Sequence, residues 1–318
     1  MLHTGLGRNG PGLLLRDIRR AEADVLAQRD AVIAARPDIL LLLDFDYDLD
    51  GLALSGFADL LAAAGHPMPH RFAAPPNTGL ATALDLDGDG RRGGPGDAQG
   101  WGRFAGSGGM ALLSRFPLET GRIRDHTAML WRDLPGARLP QFPDGAPFPS
   151  AQTQAIQRLA SVAAWEMPVL TPDGALLLLA WHATPPAFDG PEGRNRQRNA
   201  DEVAFWRLRL NGALGPPPQA PLVLIGNANL DPEAGNGARD EIRALLNHPA
   251  LQDPQPIGIG PDGTASPATA SWPDDGPGTL RVDYLLPSAG LRALEAGMIW
   301  PSDAATHALV WTDIAWPP

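Results

Sequence analysis

Apolar runs that stop abruptly at polar residues recur along this chain. Ile39 to Leu43 ends in Asp44-Phe45-Asp46, Ala175 to Trp181 in His182, and Leu222 to Ile225 in Gly226-Asn227-Ala228-Asn229. The run Arg281-Val282-Asp283-Tyr284-Leu285-Leu286 has an acid set inside it, and Ala308 to Trp316 follows His307 directly. Short apolar runs bounded in this way predict buried strands. Met110 to Leu113 predicts a further short strand, ending at Ser114-Arg115. Between the runs the period changes to that of a helix. Leu13 to Arg36 carries Val25, Leu26, Val32 and Ile33 on one side, and Pro37 stops it. Leu52 to Ala64 reads as a helix closed by Gly65. In Asn199 to Leu210, Val203, Trp206 and Leu210 share a face, and Arg239 to Asn247 is amphipathic too.

Strands interleaved with helices predict an α/β (α+β) layered protein. In such a protein the ends of the strands lie side by side. The carboxylate, imidazole and amide groups at those ends therefore meet in one cleft, which is the layout of a hydrolytic site. Three Pro- and Gly-rich stretches, about 75–109, 133–150 and 252–279, interrupt the pattern and read as long loops on a single domain spanning 1–318.

Composition narrows the chemistry. The net charge is −11 and all 25 basic residues are Arg. The negative field works against bulk nucleic acid as a partner, and the absence of Lys reads as coding bias rather than a phosphate-binding signal. Without Cys there are no disulfides or thiolate metal sites. No apolar run approaches the roughly 20 residues of a membrane span, and polar residues follow Met1 at once, so the sequence given shows no signal peptide.

The ordered set Pro37-Asp38-Ile39-Leu40-Leu41-Leu42-Leu43-Asp44, Gly109-Met110-Ala111-Leu112-Leu113-Ser114-Arg115, Trp181-His182, Gly226-Asn227-Ala228-Asn229, Arg281-Val282-Asp283-Tyr284 and Thr306-His307 resembles the endonuclease/exonuclease/phosphatase (DNase I-like) superfamily over nearly the whole chain. The resemblance implies a four-layer α/β sandwich, two central mixed β-sheets flanked by helices. It also implies a divalent-metal-dependent phosphoester hydrolase, here acting on a small-molecule or lipid-like phosphoester. Carried over residue by residue, it makes His182 the transition-state histidine and Asn229 the amide of the Gly-Asp-Phe-Asn-type motif. His307 becomes the terminal catalytic histidine, and Asp283 the acid of the Arg-Ile-Asp-Tyr-type strand. It places the metal at Asp44, with His3 where the family has Asn; independently of the resemblance, Asp44, Asp46, Asp48 and Asp50 alternate and would face one way if the strand continued, which puts a metal near Asp44 or Asp46 and leaves Asp48 and Asp50 as a solvated loop. Magnesium or manganese is the implied ion, and an exported location, periplasmic or secreted, is the implied setting. Four positions depart from the pattern: His3 for Asn, Asp44 for Glu, Asn227 for Asp, and Thr306 for Asp. An amide cannot take a proton at neutral pH, and general-base assistance is worth roughly 10²–10⁴-fold in rate. Asn227 thus also allows a second reading, a degenerate member that binds a ligand or metal without turnover.

Other signals stand beside this set. Asp85, Asp87 and Asp89 alternate within Asp85-Leu86-Asp87-Gly88-Asp89-Gly90, the first half of a calcium loop. The twelfth position is Gly96 and not Glu, so an EF-hand is not expected; a half-loop for calcium and a solvated acidic turn both remain. Arg194 and Arg198 follow His182 and offer guanidinium forks for a substrate phosphate; a solvated loop is the alternative. Arg115 reads as a structural ion-pair partner. His66, His70, His126 and His248 are isolated in sequence, and Trp101, Trp131 and Trp272 lie in or beside loops.

Overall fold

The computed structural model describes residues 1–219, 221–272 and 276–317. The first part of the chain forms β1 (Leu2–His3), α1 (Leu13–Arg20), α2 (Ala23–Ala35), β2 (Ile39–Phe45), α3 (Leu52–Ala63), β3 (His70–Ala73), β4 (Gly109–Ser114) and β5 (Arg124–Asp125). The middle adds α4 (Ala151–Ile156), β6 (Ala164–Thr171), β7 (Gly174–His182), α5 (Arg194–Leu210), β8 (Leu222–Asn227) and α6 (Arg239–Leu246). The last part adds β9 (Gly258–Ile259), β10 (Ala265–Ser266), β11 (Ala270–Trp272), β12 (Gly278–Leu280), β13 (Asp283–Pro287), β14 (Ala293–Ile299) and β15 (Leu309–Ile314).

Two mixed sheets form the centre. One has the order β14-β15-β1-β2-β4-β3 and the other β13-β8-β7-β6-β5. Within each, a single parallel pair (β1 with β2, β7 with β8) lies among antiparallel neighbours. The unbroken leucine run of β2 reflects burial on both faces. Leu41 and Leu43 turn toward the second sheet, meeting Met167, Leu178, Val223 and Ile225. Leu40 and Leu42 turn the other way, under Ile18 of α1, Val32 of α2 and Phe57 of α3. On the far side Val203 and Trp206 of α5 and Ile242 of α6 cover Leu179 and Leu224. Helix, sheet, sheet and helix therefore follow one another, as the four-layer sandwich requires.

Several boundaries differ from the pattern in the sequence. Leu13 to Arg36 is two helices, because Ala21 takes a left-handed conformation (φ 52°) and its amide closes onto Ile18. Arg8 holds the break from outside, bonding Asp17 and Asp24 on either side of it. The helix expected from Asn199 begins at Arg194. β6 escapes pattern reading because Pro168 sits within it, a residue that argues against a strand. The stretch 252–279 folds into two hairpins, β9–β10 and β11–β12, with residues 273–275 outside the described set. The loop 75–109 is tied down by Asn77, whose Nδ2 donates to the carbonyls of Thr127 and Ala160. Among the described residues no helix is long and apolar enough to cross a membrane.

β8 approaches β7 so closely that a side chain is excluded at Gly226. A Cβ there would lie 2.1 Å from the Trp181 carbonyl oxygen and 2.4 Å from its Cδ1. Gly226→Ala is expected to cost about 1–3 kcal/mol through overpacking, measured by urea unfolding; an unchanged midpoint would show that the two strands can separate freely.

Candidate active site

Register brings the site together. His182 on β7 is the partner of Asn227 on β8, and Asn227 is the partner of Asp283 on β13. The three therefore form one row across the sheet. Alternation sets which way they face. Ala180, Ile225 and Leu285, two residues from each, belong to the core between the sheets, so the row projects into that same space. From the first sheet His3 projects there too, two residues after Met1 of that core. His307 enters just before β15.

Hydrogen bonds fix most of these groups. Asp283 is fully buried, with both carboxylate oxygens engaged. Oδ1 accepts from Asn227 Nδ2 and Oδ2 pairs with His307 Nδ1, each at 2.8 Å. Its own amide donates to Thr269 Oγ1. Asn227 Oδ1 accepts from the amide of Asn229, whose Nδ2 donates to the Ala183 carbonyl. That clamp holds Asn229 in the left-handed region, at φ 50°. Strained backbone of this kind gathers at functional sites.

The imidazoles form a row. His3 stacks on His307 at 3.9 Å between ring centres and 10° between planes. His182 meets His3 edge-on at 5.1 Å and 79°, and Trp272 meets His307 edge-on from the other end. Burial disfavours their charged forms. It lowers His3 well below the usual histidine range, with His307 and His182 adding to the effect. It lowers His182 to about 4, against the pull of Asp283. Nδ1 of both His3 and His182 is buried without a partner.

Asp44 and Asp46 part company. β2 bulges between Leu43 and Phe45, with Asp44 at φ 51°, so the alternation that would align the acids is lost. Asp44 lies in a cradle of two glycines: a Cβ at Gly7 would come within 2.5 Å of its Oδ1, and one at Gly108 within 2.6 Å. Burial raises its pKa, and the Gly7 amide works against the rise. Asp46 instead spends its oxygens on the backbone, Oδ2 on the Arg8 amide and Oδ1 on the Gly108 amide. Burial raises it to about 6. It anchors the two loops that cradle Asp44, rather than facing the cleft as a ligand. Asp48 caps α3 by accepting from the amides of Leu52 and Ala53.

The remaining candidates lie apart. Asp85, Asp87 and Asp89 form the only group of three or more acidic or histidine side chains, among the described residues, whose ligand atoms all lie within 4.8 Å. Their carboxylates cap their own turn, accepting from the amides of Gly88, Gly90, Asp89 and Arg91. Arg198 turns inward: it is 2 % exposed and bonds the carbonyls of Leu159, Gln99, Arg158 and Ala160. Its guanidinium ties the stretch 158–160 to Gln99 and is not free for a substrate phosphate. Arg194 lies among Asp87, Asp189 and Glu192. Thr269, Gly7 and Gly108 escape sequence reading. A Gly-rich opening at 5–12 and the Gly-Ser-Gly-Gly run at 106–109 were the only signals for the cradle.

The donors fit a divalent ion of a particular kind. The two unpartnered imidazole nitrogens suit ions that accept nitrogen as well as oxygen, such as manganese or zinc, and the glycine-cradled Asp44 carboxylate is a separate oxygen donor that does not complete a three-ligand group with them.

Comparison with known proteins bears on the family and the fold. The model of the Endonuclease/Exonuclease/phosphatase family matches residues 8–313. A search of curated proteins finds no match. Among solved structures, an endonuclease/exonuclease/phosphatase from Beutenbergia cavernae DSM 12333 superposes with TM-score 0.59 at 18% identity, covering 98% of this chain and 69% of that one. A family protein from Leptotrichia buccalis C-1013-b gives 0.51 at 12% identity, with 92% of each chain covered. One from Bacteroides thetaiotaomicron gives 0.50 at 12% identity, covering 94% and 92%. At these identities the likeness is one of fold, and the family model, which spans most of the sequence, carries the assignment: this chain belongs to the endonuclease/exonuclease/phosphatase family.

Proposed function

We propose that the chain is a phosphoester hydrolase acting on a small-molecule or lipid-like phosphoester, with His307, Asp283, His182, Asn227 and Asn229 as its working residues. One observation carries the reading: His307 is held through Nδ1 by a buried Asp283 whose other oxygen is locked by Asn227. An imidazole oriented by a carboxylate in this way has Nε2 free to take a proton. Water would add to phosphorus, His307 would accept its proton, and the ester P–O bond would break, the departing alkoxide taking a proton from solvent to leave as the alcohol. The base that Asn227 cannot supply is thereby supplied from the facing sheet, by the residue that leads into β15. His182, neutral at pH 7 by virtue of its burial, would donate a hydrogen bond to the phosphoryl group, and Asn229 would orient it. A divalent ion bound at the cleft would supply positive charge for the phosphoryl oxygens and the leaving group. The net charge of −11 supports a small substrate over bulk nucleic acid.

Hydrolysis of a chromogenic phosphodiester and phosphomonoester with magnesium, manganese, calcium or zinc tests the reading. Turnover lost both with chelator and in His182→Ala is the expected result. A folded chain inert with every ion would favour the binding-only reading, which the amide at Asn227 supports.

A further inference from the structure

Two buried nitrogens stand out across the whole molecule. His3 Nδ1 and His182 Nδ1 come from facing sheets, each without a hydrogen-bond partner. A buried polar atom left unpaired costs about 1–3 kcal/mol, so a pair of them on adjacent rings calls for a ligand. The rings themselves show what ligand. Their centres are 5.1 Å apart and their planes 79° apart. An imidazole whose nitrogen lies about 2.1 Å from zinc has its ring centre about 3.2 Å away, so two such ligands at a tetrahedral angle stand about 5.2 Å apart. The observed separation matches that figure.

His307 is excluded from the same role. Its ring is parallel to that of His3 at 3.9 Å. A lone pair lies in the plane of its ring, and two parallel planes share no point at which one ion could accept from both. Its Nδ1 is also committed to Asp283.

We propose that His3 and His182 together bind one ion of the zinc class through their Nδ1 atoms, bridging the two sheets at the cleft. The pairing gives His182 a ligand's part in addition to any contact with substrate. Among the described residues no third acidic or histidine side chain joins them in a group whose ligand atoms all lie within 4.8 Å of one another, so the remaining positions fall to water and to phosphoryl oxygens. The site shares its cleft with the proposed hydrolase chemistry but does not depend on turnover.

The full chain, stripped with chelator, is titrated by calorimetry with zinc and separately with magnesium, and the zinc-loaded chain is examined by X-ray absorption fine structure. Zinc is expected to bind one-to-one and more tightly than magnesium, with affinity falling more than about tenfold in His3→Ala. The triple variant Asp85→Asn, Asp87→Asn, Asp89→Asn is expected to bind zinc normally. The absorption spectrum of wild type should contain two imidazole ligands. Fewer than two overturns the proposal, with no variant required to fold. So does zinc binding that survives in His3→Ala or disappears in the acidic-turn variant. A chain that hydrolyses phosphoesters but fails these tests keeps its hydrolase reading and loses this one; zinc binding as described without turnover does the reverse.

Discussion

Asp283→Asn is expected to lower turnover of a phosphodiester by roughly 10²–10⁴-fold, with KM little changed. The substitution preserves volume at a fully buried position, so the fold should survive. What it changes is the pattern of donors and acceptors. Asp283 accepts at both oxygens, from Asn227 Nδ2 on one side and His307 Nδ1 on the other. An amide has one acceptor and one donor group. If its oxygen faces Asn227, its nitrogen faces His307 and forces Nδ1 to become the acceptor. The proton then moves to Nε2, and the nitrogen that would take a proton from water is already occupied. If its oxygen faces His307, two amide donors oppose each other at Asn227. Either arrangement spoils the base. Steady-state kinetics beside thermal unfolding decide the matter: an unchanged kcat in a folded variant would show that His307 does not act as the base that Asp283 orients.

The same dyad shows what the sequence made legible. Asp283 and His307 were readable because each interrupts or borders an apolar run, and strand ends converge in a layered fold. The row from His182 through Asn227 to Asp283 needed only strand register, which the runs themselves imply. What could not be read depends on partners distant in the chain. Arg198 looked like a phosphate ligand because Arg194 and Arg198 follow His182; four carbonyls, 38 to 99 residues away, claim it instead. Asp46 looked like a second ligand because it alternates with Asp44. One bulged residue at φ 51° undoes that alternation, and the backbone amides of two glycine-rich loops take its oxygens. His126 looked isolated, yet it bonds Glu166, 40 residues on. Local pattern thus reports which strands exist and what chemistry they carry, while the fate of each charge is settled by tertiary contacts.

The largest stability effect should come from that last cluster. Glu166 on β6 faces the helix layer and is 3 % exposed in its side chain, as is Arg209 of α5 at 2 %. Arg209 Nε donates to Oε1 at 2.5 Å and Nη2 to Oε2 at 3.2 Å, while His126 Nε2 pairs with Oε1. Burial by itself would raise the pKa of Glu166, but the His126 bond and the Arg209 guanidinium outweigh it and hold the carboxyl at about 2, below its ordinary 4.5. Arg209→Met leaves this carboxylate buried without its main partner, which is expected to cost about 3–5 kcal/mol. Adding Glu166→Leu removes the stranded charge, and the double variant should recover most of the loss. The pH dependence gives a second signature. A group whose pKa is depressed on folding contributes stability that is present above its unfolded value and lost as pH falls through its folded value. Wild type should therefore lose this contribution as pH falls from about 4.5 toward 2. In Arg209→Met the folded carboxyl takes up its proton at higher pH, so the gap between variant and wild type should narrow over the same interval. Urea unfolding at pH 7 and again near pH 4 measures both effects. A single variant no less stable than the double one, or a gap that widens on acidification, would mean that Arg209 does not hold Glu166 in its charged form.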